Sequence, residues 1–461
     1  MNQKQKNLQP YKRIFKFIET LIILAGVCAP FVFIWYVQIN TIQFIPFTGK
    51  GNIFECLVYA AAALIFIRLY GGFDIGFYTP LNTILSQVLG LLITNFLMCI
   101  QIVLTLGDLY AIGHIMLWLF ICNIIQIVIS IVLVLIMESV YVRMFPAWNI
   151  LLIYEKDSVR LFTDKLSTRK DKYVIGDMIN VSEGFDAIAK KLENHEFVIV
   201  YDVASEIRND IVKYCYGRDI TVYQTPKISD ILIRGAREYH MFDTPLIASD
   251  NVCMTFEQKF IKRFMDIIIS LLMIIITSPV MLITALCIKA EDGGPVFFTQ
   301  KRVTIGGREF VIYKFRSMIV DAESDGKAHP ATNDDDRITK TGRFIRKTRI
   351  DELPQLINVL KGDMSLVGPR PERTEHVEKY CSEIPEFAYR TKVKGGLTGY
   401  AQVYGKYNTT AYDKLKLDLM YIENYSLALD LRIILMTVKV IFMKTSTEGF
   451  NENMNKDGVE K

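Results

Sequence analysis

Four long apolar runs crowd the first third of this 461-residue chain, and they leave little room for a soluble fold. They cover residues 15–39, 54–70, 84–106 and 112–137. Each approaches the ~20 residues that a helix needs to cross ~30 Å of hydrocarbon. Lys4, Lys6, Lys12 and Arg13 precede the first run, which puts the amino terminus on the cytoplasmic side. That run is too long for a cleaved signal peptide, and three more follow it. The loops holding Lys50 and Asp108 then face outward, and an even number of spans returns the chain to the cytoplasm near Arg143. The second run is the shortest and carries Arg68 at its end. Four core helices of a large soluble domain would be the alternative. Hydrophobic residues make up 51% of the chain, yet charged residues still reach 22%, which excludes a wholly soluble, disordered or fibrous protein. A net charge of +4 is too small to argue for nucleic acid. The eight cysteines form no CxxC pair, and Cys28, Cys99, Cys122 and Cys287 lie within apolar runs. They read as small buried hydrophobes in a reducing compartment.

The pattern changes at Pro146. Short apolar segments at 149–154, 173–179, 197–202 and 220–224 predict strands. Helical periods at 157–166, 182–192 and 204–214 separate them, so a small α/β domain with a parallel sheet is expected over 146–250. A dinucleotide site would need glycines after its first strand. The turn here is Tyr154-Glu155-Lys156-Asp157, which favours a scaffold or regulatory role. A fifth apolar run covers 264–288. Lys259, Lys262 and Arg263 precede it, Lys289, Lys301 and Arg302 follow, and Ser278-Pro279 sit near its middle. Proline removes a helical hydrogen bond and clashes with the preceding turn, so a bend is expected there. Two topologies fit: a helix that enters and leaves on one side, or a bent span. Further on, 427–443 is interrupted by Asp430, Arg432 and Lys439 and reads as an interfacial amphipathic helix.

The chemistry concentrates between Lys314 and Glu372. Asp351-Glu352 are adjacent carboxylates, and Arg343, Arg346, Lys347, Arg349 and Arg370 surround them in sequence. Taken alone, Asp351 would cap a helix whose first turn holds Pro354. In this basic setting the same residues suit a phosphate site. Paired acids there can hold Mg²⁺, and a carboxylate kept ionised by cations can attack phosphorus. Metal-assisted phosphoryl transfer beside a membrane follows. Lys314 and Arg316 could contact phosphate or stand at a solvated strand edge. Asp334-Asp335-Asp336 reads as a solvated loop, and His329 and His376 as ordinary surface residues.

At these residues the chain resembles a known family. From about Phe260 to Thr445 it is similar to the bacterial sugar transferases, the monotopic phosphoglycosyl transferases. The resemblance rests on an ordered set of strings. These are the Ser278-Pro279 helix, Gly294-Pro295-Val296-Phe297-Phe298 with Gln300-Lys301-Arg302, and Lys314-Phe315-Arg316-Ser317-Met318. Then come Thr341-Gly342-Arg343-Phe344, Arg346-Lys347-Thr348, Asp351-Glu352-Leu353-Pro354-Gln355-Leu356 and Gly368-Pro369-Arg370-Pro371. Leu397-Thr398-Gly399-Tyr400-Ala401-Gln402 and Tyr421-Ile422-Glu423-Asn424-Tyr425-Ser426 complete the set. Lys394-Gly395-Gly396-Leu397 departs from the usual Arg-Pro-Gly-Ile, and Tyr400 stands where Trp is usual; both lie outside the acidic pair.

The resemblance implies a membrane protein of mixed class, like the long-form members. It would have four transmembrane helices over 1–145, a Rossmann-like α/β domain over 146–250, and an α/β catalytic domain over 251–461. A proline-broken re-entrant helix at 264–288 would keep the catalytic domain at the cytoplasmic face of the bacterial cytoplasmic membrane. It implies Asp351 as nucleophile, Glu352 as its partner and Mg²⁺ ligand, and Arg346, Arg370, Lys314 and Arg316 on the substrate phosphates. The donor would be a UDP-sugar, the acceptor polyprenyl (undecaprenyl) phosphate, the cofactor Mg²⁺ and the assembly a homodimer among membrane lipids. The product would initiate exopolysaccharide, capsule or O-antigen assembly. A non-catalytic membrane scaffold is the alternative; a transporter ranks third, since the spans show no polar path.

Overall fold

The computed structural model describes residues 11–42, 46–106, 111–249, 253–320, 322, 335–405 and 409–441. Lys4, Lys6, Asp108, His329 and Asp334 lie outside them. The chain divides into two compact units, 1–226 and 227–461. Among the described residues, five helices are long and apolar enough to cross a membrane: Lys12–Ile42, Lys50–Leu69, Pro80–Leu106, Ile112–Met144 and Phe256–Asp292.

The first unit opens with four of these. Helix α1 is Lys12–Ile34, prolonged by a π turn at Trp35–Ile39; α2 is Lys50–Leu69, α3 Pro80–Leu106 and α4 Ile112–Met144. Lipid tails are as apolar as leucine, so close packing and hydrogen bonds hold such helices together. Gly90 supplies the packing: a Cβ there would lie 2.9 Å from the Ile67 backbone. The hydrogen bonds come from residues that averaged hydropathy hides. Tyr59 donates to Asn95 at 2.8 Å, Asn95 donates to Gln126 at 2.9 Å, and Gln126 donates to the Val27 carbonyl at 2.6 Å. The spans therefore do contain polar groups, and these three bond to one another rather than line a path.

The α/β part follows in the same unit. Strand β1 (Trp148–Tyr154), α5 (Val159–Ser167), β2 (Tyr173–Asn180), α6 (Phe185–Leu192), β3 (Phe197–Tyr201), α7 (Ser205–Tyr216) and β4 (Thr221–Gln224) alternate. The strands pair in parallel in the order β2-β1-β3-β4. Each begins and ends within one residue of its expected bounds. Ile150 and Leu152 enter one apolar cluster, and Leu151 and Ile153 enter another. A sheet covered on both faces needs such an unbroken apolar strand. The crevice at its carboxyl edge is where α/β sheets take ligands. Here the Glu155 carboxylate accepts from the Ala204 N–H at 2.7 Å, at the start of α7. The protein's own acid occupies the place an anion would take.

The second unit holds α8 (Ile228–Arg234), a hairpin of β5 (Arg237–Met241) and β6 (Thr244–Ala248), and the long helix α9 (Phe256–Asp292). A capping box of Thr255 and Gln258 starts α9, and Pro279 lies inside it. Its beginning is tied to the unit by polar groups. Lys262 donates to Asp430 at 2.5 Å, Arg263 donates to the Val359 and Leu360 carbonyls at 2.6 and 2.7 Å, and Asp266 accepts from the Leu366 N–H at 2.9 Å. Its far end returns to the same unit: Ile288 packs with Phe315 and Ile345, and Glu291 accepts from the Lys340 N–H at 2.8 Å. Between these attachments Leu271, Leu272, Ile275, Ile276, Leu282 and Ile283 are exposed.

Strands β7 (Phe297–Val303) and β8 (Glu309–Phe315) form an antiparallel hairpin, then come α10 (Lys340–Lys347), α11 (Gln355–Lys361) and β9 (Ser365–Val367). Helix α12 (Thr374–Glu383), β10 (Gly396–Thr398, parallel to β9), α13 (Tyr400–Tyr404), α14 (Ala411–Glu423) and α15 (Leu427–Ile441) complete the unit. Leu356, Val359, Phe387, Leu415, Leu419 and Ile433 meet in its core. The expectation of an interfacial amphipathic α15 fails at its charges. Asp430 and Lys439 are both buried; Asp430 is the partner of Lys262 and also accepts from the Tyr421 hydroxyl at 2.8 Å. All eight cysteines are free thiols; Cys28 and Cys122 are buried, whereas Cys287 on α9 is exposed.

Candidate active site

The site begins with a turn. Thr339 caps α10 by accepting from the Gly342 N–H at 2.9 Å, and the helix runs out at Thr348. Arg349 then adopts φ 60°, a left-handed conformation that a residue with a Cβ enters only under strain. This reversal places Ile350, Asp351 and Glu352 in a single 3₁₀ turn ahead of α11. Pro354, not Asp351, is the N-cap of α11. The capping role expected of Asp351 is therefore absent. Its Oδ1 is buried and has no hydrogen-bond partner among the described residues.

Glu352 takes the cations instead. Its Oε1 accepts from Arg370 at 2.5 Å and from Lys314 at 3.3 Å, and the Arg349 guanidinium lies 3.8 Å away. Burial alone would raise the Glu352 carboxyl. The charges of Arg370, Lys314 and Arg349, with the Arg370 hydrogen bond, outweigh it and hold the group well below the usual carboxylate range. Asp351 moves the other way: burial raises it first and the Glu352 charge raises it further, against Lys314, Arg349 and Arg370. The expectation that nearby cations simply keep Asp351 ionised is thus revised. The cations serve Glu352, and Asp351 is left as the acid that ionises less readily. Burial lowers Lys314, with Glu352 opposing, while the Glu352 charge raises Arg370.

Lys314 reaches Glu352 because Asn358 of α11 grips β8. Its side chain accepts from the Tyr313 N–H at 3.0 Å and donates to the Val311 carbonyl at 2.7 Å. Arg370 is held from behind: its carbonyl accepts from Arg390 at 3.0 Å, and Arg390 is bound to the buried Asp418 at 2.6 Å. Next to it, Lys414 and Arg390 outweigh burial and hold the Glu372 carboxyl down to about 2.

Asp351, Glu352, Lys314, Arg349 and Arg370 line a cavity of about 620 Å³, together with Arg346, Arg373, Arg302 and Arg316. Of the basic residues expected there, Arg346, Arg349, Arg370, Lys314 and Arg316 do line it. Arg343 and Lys347 are exposed and do not. Arg316 is buried and ion-paired with Asp292, so its guanidinium has an internal partner. Ser278 and Pro279 lie within α9 and not on this cavity. Asp335 is buried and binds Arg337 at 2.6 Å, against the solvated-loop expectation, whereas Asp336 is exposed in keeping with it. Arg302 reads in the sequence only as a flanking cation and part of a string, not as a site residue. It donates to Gln300 at 2.7 Å across one strand repeat, and burial lowers it to about 10. The Gln300-Lys301-Arg302 alternation carried that signal, since Lys301 on the opposite face pairs with Glu309. Arg390 and Asp418 stand 28 residues apart and had no local signature.

The strand, turn and helix that build this site fall within the family described as bacterial sugar transferase, whose profile matches residues 257–444. The chain is 41% identical over 191 residues to a Bacillus subtilis protein named as an uncharacterized sugar transferase, EpsL; the match covers 92% of that protein and 41% of this chain. The chain belongs to the bacterial sugar transferase family. It is also 42% identical over 260 residues to an Aeromonas hydrophila UDP-N-acetylgalactosamine-undecaprenyl-phosphate N-acetylgalactosaminephosphotransferase. To a Klebsiella pneumoniae UDP-glucose:undecaprenyl-phosphate glucose-1-phosphate transferase it is 37% identical over 279 residues. These matches cover 56% and 59% of this chain, and 59% and 58% of those relatives' lengths.

Proposed function

We propose that the protein transfers a sugar 1-phosphate from a nucleoside diphosphate sugar, a UDP-sugar by analogy with its relatives' names, to undecaprenyl phosphate. The observation that carries this reading is Asp351 Oδ1, buried in the wall of a cation-lined cavity and bonded to nothing among the described residues. A buried polar atom left unmatched in a site calls for an explanation, and a nucleophile waiting for phosphorus supplies one.

In the first step an Asp351 oxygen attacks the phosphorus that bears the sugar. The bond from that phosphorus to the bridging oxygen breaks, and UMP leaves with the electron pair. Asp351 then holds the sugar phosphate as an acyl phosphate. In the second step an oxygen of undecaprenyl phosphate attacks the same phosphorus. The bond to Asp351 breaks, the carboxylate returns, and undecaprenyl diphosphate-sugar is released. Arg370, Lys314, Arg346 and Arg349 offset the charge that gathers on the transferred group. An approaching phosphate also competes for the cations on Glu352. Glu352 would hold Mg²⁺, a hard ion that takes oxygen ligands and completes its shell from water and substrate phosphates, once the phosphates draw its cations away. When bound, Mg²⁺ would neutralise phosphate charge during transfer.

The membrane topology belongs to the same reading. Both ends of α9 pack on one unit while its apolar middle stays bare, which supports a helix that enters and leaves a single side of the membrane. The catalytic unit then faces the cytoplasm of a bacterium, where nucleotide sugars are made, and the product feeds surface-glycan assembly. A homodimer remains part of the proposal and is checked by the mass of the particle in nanodiscs. The intact Asp351-Glu352-Arg370 set speaks against a non-catalytic scaffold.

The test uses the full chain in detergent with Mg²⁺, undecaprenyl phosphate and a panel of UDP-sugars. UMP release with one sugar is expected, and it names the sugar. No release with any sugar overturns the activity. Without acceptor, the intact mass should rise by one sugar phosphate on Asp351; an unchanged mass alongside turnover would remove the covalent step.

A further inference from the structure

A second cavity, of about 380 Å³, opens at the beginning of α9. It is lined by Lys259, Lys262, Arg263, Lys392 and Lys394, with Asp266 as its one acid. None of these residues lines the catalytic cavity. Much of its wall is apolar, including Met254, Ile305 and Val393.

The charges do not cancel. Lys262 is neutralised by Asp430, and the Asp266 carboxylate is engaged by the Ser365 hydroxyl and the Leu366 N–H. Arg263 gives its N–H groups to two backbone carbonyls and keeps its charge. The Lys259 and Lys394 ammonium groups make no hydrogen bond or ion pair among the described residues. Lys394 is half-buried, and burial lowers its pKa; Arg263 and Arg308 push in the same direction, while Asp266 and Asp363 oppose them. A cation held among cations and partly removed from water gains most from an anion. The position fits as well. Lys259 and Arg263 stand within the first two turns of α9, beside the exposed apolar side chains of Phe256, Phe260 and Phe264. That is the depth of lipid phosphates, and basic pockets at that level bind anionic head groups.

We infer that this cavity binds a lipid-borne phosphate, its Lys259 and Lys394 ammonium groups on the phosphate and its apolar wall against the lipid. The inference rests on the proposed membrane placement of α9 and not on the chemistry at Asp351. The phosphate can belong to a bilayer phospholipid or to the undecaprenyl phosphate acceptor, and the two sources separate by experiment.

Delipidated full-length protein would be titrated, under native mass spectrometry, with phosphatidylglycerol, undecaprenyl phosphate, phosphatidylcholine and inorganic phosphate in separate arms. The Lys259→Ala/Lys394→Ala variant is expected to bind anionic lipid at least about ten-fold more weakly, with phosphatidylcholine unchanged. The Lys259→Arg/Lys394→Arg variant should retain binding, and its melting temperature with that of the alanine variant excludes misfolding as the cause. A lysine-dependent loss with both lipids assigns the site to any anionic lipid; a loss with undecaprenyl phosphate alone assigns it to the acceptor. Equal binding by wild type and alanine variant overturns the inference, as does lysine dependence with inorganic phosphate alone. UMP release in the same samples keeps the two readings apart. Lysine-independent lipid binding with UMP release intact sinks only the lipid site. Lysine-dependent binding without UMP release sinks only the transferase.

Discussion

Two anion positions in this chain look alike on paper and differ in what fills them. At the carboxyl edge of the parallel sheet, Glu155 reaches across to the start of α7 and satisfies the Ala204 N–H. The position is closed by the protein itself. In the second unit three cations gather on Glu352, yet the neighbouring Asp351 keeps an oxygen buried and unmatched. The regular sheet, which has the architecture that most often binds nucleotides, has spent its anion position on folding. The irregular turn between α10 and α11 has not. Chemistry is to be sought where the fold leaves a polar atom waiting, whatever the regularity of the surroundings.

The comparison can be broken most directly at its two acids. Asp351→Asn should abolish UMP release, by at least roughly 10³-fold, while raising thermal stability by about 1 kcal/mol. The sign follows from the raised pKa: a buried carboxylate that ionises reluctantly costs stability above that pKa, and the amide removes the cost. Glu155→Gln should leave UMP release within two-fold of wild type. Should Glu155→Gln fall with Asp351→Asn, the contrast between the two positions is wrong. For the wild type, the proposed attack requires ionised Asp351, so the acid limb should lie above the ordinary aspartate range in a pH profile of UMP release.

Glu352→Gln should destabilise the second unit by about 3 kcal/mol, read by chemical denaturation, because Arg370 and Lys314 lose their shared counter-charge. A neutral effect would mean that water, not Glu352, compensates those cations. Glu372 sharpens the picture one layer back. Its folded pKa of about 2 lies below the unfolded value, so its stabilisation is complete above roughly pH 4.3 and is lost as pH falls toward 2. Glu372→Gln should flatten that part of the stability curve, worth about 3 kcal/mol. The smallest effect belongs to Glu155→Ala. Loss of the acceptor at the start of α7 should cost about 1 kcal/mol. Faster amide exchange confined to 204–216 would check it.

Much of the architecture was legible because it rests on short-range pattern. The spans follow from run length. The sheet strands follow from apolar segments such as Ile150-Leu151-Leu152-Ile153 set between helical periods. The acidic pair and its arginines were legible as an ordered set of strings. What escaped depends on distance. Nothing near Asp430 in sequence says that Lys262, 168 residues earlier, draws it inward, so α15 was read as facing water. The Tyr59, Asn95 and Gln126 network is one residue per helix and vanishes in any averaged hydropathy. At the site, an acid three positions before Pro354 looks like a helix cap. The left-handed Arg349 turns the chain before that cap can form.

That residue makes position 349 a place where two demands diverge. Glycine and asparagine suit its backbone; arginine and lysine suit the charge on Glu352; no natural amino acid meets both. A library randomised at this codon should therefore sort differently under two screens. Selection for folded yield would enrich glycine, and selection for the proposed UMP release would return arginine.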